Sequence, residues 1–303
     1  MEPVVEVVDL RKRYGKVVAV DGISFTVGRG EIFGIVGPNG AGKSTTVECL
    51  AGLREKESGT VSVLGLDPLK EGRKLRERIG VQLQEAALPD DIKVWEALDL
   101  YASFYRRSAD WKMLLEQWDL APKRDTRFEN LSGGQKQRLF IALALVNEPE
   151  IVFLDEITTG LDPQARRLTW DLVRKIRARG AAVLLVTHSM EEAEKLCDRV
   201  AIIDEGRVVA LDSPEALVRE GDLEASVRLQ GLDGFDVAAL RTLDNVSRAG
   251  WEGDELVVYG HGPLLARVIV DLDHRGFTPS GVSVGRRTLE DVFVEKTGHL
   301  IRD

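Results

Sequence analysis

Nine residues, Gly37-Pro38-Asn39-Gly40-Ala41-Gly42-Lys43-Ser44-Thr45, close an almost wholly apolar run, EIFGIVG at 31–37. From Gly37 to Ser44 they fit the pattern G-x-x-x-x-G-K-[ST]. A strand apolar on both faces belongs at the centre of a covered parallel sheet. The segment that follows, TTVECLAGL, reads as a helix. Between them, glycines let successive backbone N–H groups turn toward one anion, and the helix start adds the positive end of its dipole. Lys43 is placed to set its ammonium on the β- and γ-phosphates of a nucleotide, and Ser44 to offer its hydroxyl to Mg2+. A plain Gly-rich turn between strand and helix has no need of all eight positions. The chain is thereby restricted to an α/β core that cradles phosphate.

Two further apolar runs, IVFLD at 151–155 and AAVLLVT at 181–187, repeat the core-strand pattern. Between them Leu168, Leu172, Val173 and Ile176 recur at helical spacing, and Gly180 marks the end. Strand, helix, strand predicts a parallel α/β unit. Segments 4–9, 23–27 and 60–64 are short and β-branched, and predict an antiparallel sheet. Residues 89–121 and 135–146 read as largely helical, an insertion between the first and second core strands.

The strand at 151–155 runs into two carboxylates, Asp155 and Glu156. Each costs several kcal/mol to bury unpaired, a cost with a reason beside a bound Mg-nucleotide. Asp155 would hold Mg2+, and Glu156 would polarise the attacking water as general base.

Residues 131–138 read LSGGQKQR. Ser132 sits where a helix cap belongs, followed by Gly133, Gly134 and Gln135, a helix start open to an anion. This stretch resembles the signature sequence of ABC ATPases, and the order of the motifs along the chain is similar to that family's. The resemblance covers about residues 4–218. It implies a P-loop NTPase of the ABC ATPase type: a mixed-sheet core, an antiparallel β subdomain and a helical subdomain at about 88–146. It also implies ATP and Mg2+ as ligands, and a head-to-tail homodimer in which residues 132–135 of one copy close over the ATP held at 37–45 of the other. Tyr14 matches the aromatic residue that stacks on adenine. Gln84 matches the glutamine that reaches Mg2+ and the attacking water; Gln82 competes for that role, but Gln84 is followed by Glu85, as in the family. Asp162, in GLD at 160–162, matches a residue of the dimer interface, and His188 the switch histidine on the γ-phosphate. One position departs: Ile157 stands where the family has proline, which implies a modest change in loop stiffness and no loss of hydrolysis.

The pattern changes near Gly221. Strand 226–230, helix 235–243, strands 245–248 and 255–259, helix 263–275 and strand 281–285 give the order βαββαβ, that of a small α+β ferredoxin-like domain. The expected division is therefore an ATPase domain at 1–220 and a C-terminal domain at 221–303. The last stretch, TLEDVFVEKTG at 288–298, forms an amphipathic helix with Leu289, Val292 and Phe293 on one face, and looks like the end of drug-exporter ATPases of the daunorubicin-resistance type. That resemblance implies an exporter subunit that energises a separate transmembrane permease. The other reading is an ABC ATPase outside transport, of the translation-factor or DNA-repair type. Against it stand the single phosphate loop and the lack of sustained heptads between loop and signature.

Composition agrees. The formal net charge of -9 speaks against a broad nucleic-acid-binding face, so no nucleic-acid partner is expected. Cys49 and Cys197 are expected as reduced thiols. No apolar stretch reaches the ~18 residues of a membrane span, and the N-terminus lacks the pattern of a signal peptide. The expected location is cytoplasmic, on the inner face of the membrane through the permease. Trp95, Tyr101, Phe104 and Tyr105 either form the surface that receives that partner or belong to the core of the helical insertion.

Overall fold

The computed structural model describes residues 3–84, 86–219, 225–232, 234–285 and 287–298. The chain divides between Pro214 and Glu215 into two compact units. The expected boundary at 220/221 and Glu85 lie outside the described residues.

In the first unit, β1 (Val5–Tyr14) and β2 (Val17–Val27) form a hairpin in which Tyr14 pairs with Val17. The elements β3 (Ile32–Val36), α1 (Lys43–Leu50), β4 (Ser58–Val63), α2 (Gly72–Arg76) and β5 (Ile79–Gln82) follow. The helical insertion holds α3 (Val94–Ser103), α4 (Trp111–Gln117) and α5 (Gly133–Ala144), with short 3-10 turns at Ala121–Lys123 and Phe128–Asn130. Then come β6 (Ile151–Asp155), α6 (Pro163–Ala178), β7 (Ala182–Thr187), α7 (Met190–Leu196), β8 (Arg199–Asp204) and β9 (Arg207–Asp212).

One six-stranded sheet carries the order β5-β6-β7-β3-β8-β9. Its strands are parallel except at the β8–β9 pair. The three runs read as core strands, β3, β6 and β7, are buried along their whole length. A second sheet, β2-β1-β4, is antiparallel throughout. A shared core joins the two, and Phe25 stacks on Phe33 with ring centroids 5.0 Å apart. Emptying such a site, as in Phe33→Ala, costs about 3–5 kcal/mol.

The differences from expectation have local causes. β1 continues past residue 9 through Arg11, Lys12 and Arg13 because pairing with β2 carries it, and a register shift at Asp9, φ 49°, breaks the alternation. β5, β8 and β9 extend the core sheet beyond the three strands read from sequence. β5 is only four residues long, and β9 carries a short apolar stretch, Val208–Leu211, that is only half-buried at the sheet edge, so neither shows the long buried run of a central strand.

The second unit opens with α8 (Pro214–Arg219), which straddles the division, and continues through β10 (Ala225–Gln230), β11 (Val246–Glu252), β12 (Glu255–Gly260), α9 (Leu264–His274), β13 (Gly281–Gly285) and α10 (Leu289–Thr297). Its sheet runs β11-β12-β10-β13, antiparallel throughout. That is the ferredoxin-like order, closed over Val227, Leu229, Leu256, Val258, Leu264, Val268 and Leu272. The helix expected at 235–243 is a 3-10 helix, Val237–Thr242, capped by Asp236. α10 is capped by Thr288 and buries Leu289, Val292 and Phe293.

Candidate nucleotide and catalytic site

The loop at 37–45 connects β3 to α1 under tight backbone constraint. At Gly37, φ 157°, a Cβ would stand 2.0 Å from the Ile203 carbonyl oxygen. At Gly42, φ 97°, it would stand 2.2 Å from that of Ala19. Any larger residue would push the loop away from β8 and β2. Lys43 is buried beneath the loop, and its ammonium donates to the carbonyls of Gly37 at 2.8 Å and Pro38 at 2.9 Å. Burial pushes its pKa down, and the carboxylates of Glu156 and Asp155 oppose the shift. Gly40, at φ 81°, has open space where a side chain would be. Asn39 and Gly40 are exposed, while Ser44 and Thr45 are half-buried at the start of α1.

Asp155 ends β6 with 2% of its surface exposed. Burial pushes its carboxyl up to about 6; the Ser44 hydroxyl donates to it and pulls the other way, while Glu156 adds to the rise. Its Oδ1 is buried and has no hydrogen-bond partner. An orphaned carboxylate oxygen beside a serine hydroxyl is the donor set a hard cation takes from protein. Among the described residues, no cluster of three or more His, Cys, Asp or Glu side chains could hold a metal. Asp155 and Ser44 could hold a hard cation only with further oxygen donors, such as a nearby side-chain carbonyl, phosphate oxygens or water, a donor set that suits Mg2+.

Glu156 follows in the left-handed region, φ 50°, a conformation that costs about 1–3 kcal/mol for a side-chain-bearing residue. Its backbone N–H donates to the Val186 carbonyl, which binds the turn to β7. The carboxylate is 6% exposed and meets three segments. Gln84 Nε2 donates to Oε2 at 2.9 Å, Thr159 Oγ1 donates to Oε2 at 3.4 Å, and His188 Nδ1 stands 3.3 Å from Oε1. The competing Gln82 is buried on β5 and gives its amide to the Leu83 carbonyl. Gln84, Glu156 and His188 are thus brought together, with Asp155, Ser44 and Lys43 alongside. Thr159 is an addition; its only sequence signal is its place three residues beyond Glu156 in a turn. Ile157, where the family pattern has proline, is fully buried.

Ser132 caps α5. Its hydroxyl accepts from the Gln135 N–H at 3.4 Å while Gln135 Oε1 accepts from the Ser132 N–H at 3.0 Å. A Cβ on Gly134 would meet Ala165 Cβ at 3.2 Å, so the signature helix starts close against α6. Ser132, Gly133, Gly134 and Asp162 line one cleft of about 280 Å³ with Arg138 and Thr169. Within it the Asp162 carboxylate accepts from the Gln164 and Ala165 N–H groups and caps α6. Signature and Asp162 therefore form one face, separate from the Glu156 cluster. Tyr14, 40% exposed at the hairpin end, has Lys12 Nζ 5.4 Å and Arg54 Cζ 5.5 Å from its ring centroid, an aromatic platform rimmed with positive charge.

A family model described as "ABC transporter" matches residues 20–159. Nod factor export ATP-binding protein I of Burkholderia lata is 40% identical, over 97% of this chain and 97% of its own length. The protein of the same name from Rhizobium meliloti is 39% identical, over 99% of this chain and 89% of its own. Among solved structures, an ATP-binding subunit of an ABC transporter is 30% identical with a TM-score of 0.65, covering 72% of this chain and 92% of its own. CbiO1 of Clostridium perfringens, part of the ABC transporter complex cbiONQ, is 28% identical with a TM-score of 0.64, covering 73% and 92%.

Proposed function

The chain belongs to the ABC transporter ATP-binding proteins, and from that premise we propose that it is the ATP-hydrolysing subunit of an exporter, working as a homodimer beneath a separate membrane permease. The observation that carries the reading is the Glu156 carboxylate, nearly buried yet oriented by Gln84, Thr159 and His188. A carboxylate so held can orient a water molecule and take its proton as the water attacks a phosphoryl group. The adenine ring stacks on Tyr14. The backbone of residues 37–45, with Lys43, Ser44 and Thr45, binds the triphosphate. Ser44, Asp155 and Gln84 hold Mg2+, which supplies charge neutralisation at the phosphate oxygens.

The signature face completes the site from a second copy. Ser132, Gly133, Gly134 and Gln135 form a helix start that offers N–H groups to an anion, and Asp162 lies beside them in the same cleft. In the closed dimer this face of each copy meets the γ-phosphate held by the other, and His188 contacts the same phosphate. Loss of phosphate removes the shared anion and lets the copies part.

Among the described residues, no helix is long and apolar enough to cross a membrane. The permease then supplies the anchor and the chain sits on the cytoplasmic face. Phe104, 65% exposed, and Leu100, 45% exposed, on and beside α3 offer the permease an apolar contact. Trp95, Tyr101 and Tyr105 are half-buried; Tyr101 packs on Phe104 with ring centroids 5.8 Å apart, and Trp95 on Trp111 at 6.0 Å. The relatives named for Nod factor export support the exporter assignment, and the cargo is selected by the permease. Glu156→Gln tests the reading: ATP hydrolysis falls at least ~100-fold while ATP binding persists, and gel filtration with Mg-ATP shows a dimer. A variant that hydrolyses at the parent rate overturns the base assignment.

A further inference from the structure

Glu192 is fully buried on α7, yet it touches none of the groups assigned above. α7 leaves β7 immediately after His188, and its cap Ser189 accepts the Glu192 N–H at 3.3 Å. The indole Nε1–H of Trp170, on α6, donates to Glu192 Oε1 at 3.0 Å. The hydroxyls of Thr187 and Thr158, both buried, flank the same carboxylate, although Oε2 closes no hydrogen bond. Thr187 is the residue before His188. Thr158 lies two residues after Glu156, in the turn that Ile157 seals into the core.

A carboxylate in this position is expensive, because an isolated buried charge costs several kcal/mol and a neutral residue would fill the volume more cheaply. Burial pushes its carboxyl up, and Thr187, Trp170, Thr158 and the Arg166 guanidinium pull it back. Its neighbours come from three segments, and two of these bear the ends of the Glu156–His188 pair, which are 3.3 Å apart.

We propose that Glu192 is a positioning residue: anchored on Trp170 of α6, it joins the turn that bears Glu156 to the strand end that bears His188 and holds the pair in register. The inference rests on reading Glu156 and His188 as the hydrolytic pair. A small displacement between reacting groups is enough to slow chemistry by one or two orders of magnitude. Glutamine at 192 keeps the volume and can still accept from Trp170, but it turns the second carboxylate oxygen, which faces the two hydroxyls, into an amide donor.

The test combines steady-state ATPase kinetics, ATP calorimetry and ring signals from 13C-labelled histidine in the full chain. In Glu192→Gln, kcat falls about tenfold, while KM and ATP affinity stay within about twofold. The His188 signal, assigned by its loss in His188→Ala, moves, and those of His261 and His274 stay. Trp170→Phe removes only the indole donor and gives a smaller loss of kcat with the same His188 movement, so it carries the test if Glu192→Gln fails to fold. Parent kcat in the variant that folds overturns the proposal. A lower kcat with an unmoved His188 signal and a lowered Tm also overturns it, since that marks packing alone. If Glu156→Gln is inactive in the same assay while Glu192→Gln turns over normally, the positioning role falls and the hydrolytic assignment stands.

Discussion

Gln84 Nε2 lies 2.9 Å from Glu156 Oε2, although 72 residues separate the two in sequence. Gln84 follows β5, the edge strand of the core sheet, and directly precedes the segment that leads to α3 and exposed Phe104. On the proposed reading, the carboxylate that activates water is therefore oriented by the segment that leads to the permease surface. Gln84→Ala removes one of three groups that hold the carboxylate. It lowers kcat about 10- to 100-fold, in the range of a mispositioned catalytic group. ATP binding measured by calorimetry stays near the parent value, because the phosphate cradle is untouched. A parent-like kcat would separate Gln84 from hydrolysis.

How much of this was legible in the sequence depends on how locally each feature is determined. The loop at 37–45 is set by four residue types, Gly37, Gly42, Lys43 and Ser44, within eight consecutive positions, and β3, β6 and β7 declare themselves by being apolar on both faces. The βαββαβ order of the second unit was legible because turns and helical periodicity alternate cleanly there. β5 and β9 were not, since one is too short and the other too exposed to show a period. Gln84 was separable from Gln82 only by the resemblance; both sit near a strand end, and the long-range contact with Glu156 decides between them. The left-handed backbone of Glu156 and the closeness of Gly134 to Ala165 depend on segments distant in sequence, so no local pattern announces them. Nothing in the sequence separates Glu192 from its neighbours Glu191 and Glu194; its burial against Trp170 of α6 does.

Gly42 and Lys43 separate two demands on the same loop. Gly42→Ala places a methyl group 2.2 Å from the Ala19 carbonyl oxygen at a φ of 97°, so the loop must shift or the fold must yield. It lowers Tm and weakens ATP binding together; a backbone misfit of this kind costs about 1–3 kcal/mol. Lys43→Ala leaves the loop's backbone free of that clash and removes the ammonium. It weakens ATP binding at least ~10-fold with a far smaller change in Tm. Equal Tm losses in the two variants, with ATP affinity intact in Lys43→Ala, would contradict the cradle.

On the proposed reading, Asp155 links metal binding to pH. Its carboxyl is pushed up to about 6 from 3.8, chiefly by burial. In the folded, nucleotide-free protein it therefore holds a proton more tightly than in the unfolded chain. That preference contributes stability at pH below about 4, and the contribution is lost as pH rises through about 6. A shift of this size corresponds to about 3 kcal/mol. Asp155→Asn keeps the shape without the charge. In chelator and without nucleotide, its Tm at pH 7.5 exceeds the parent's, and the parent's loss of stability between pH 4 and 6 shrinks. Mg-ATP reverses the order: the parent gains stability from Mg2+ added to bound ATP, since the cation satisfies the buried Oδ1, whereas the variant gains almost none. Scanning calorimetry of both chains at pH 4, 6 and 7.5, with ATP alone and with Mg-ATP, measures each difference. An equal Mg2+ increment in the two chains would remove Asp155 from the metal site, and a parent already more stable than the variant in chelator at pH 7.5 would show that its buried charge is compensated without a cation.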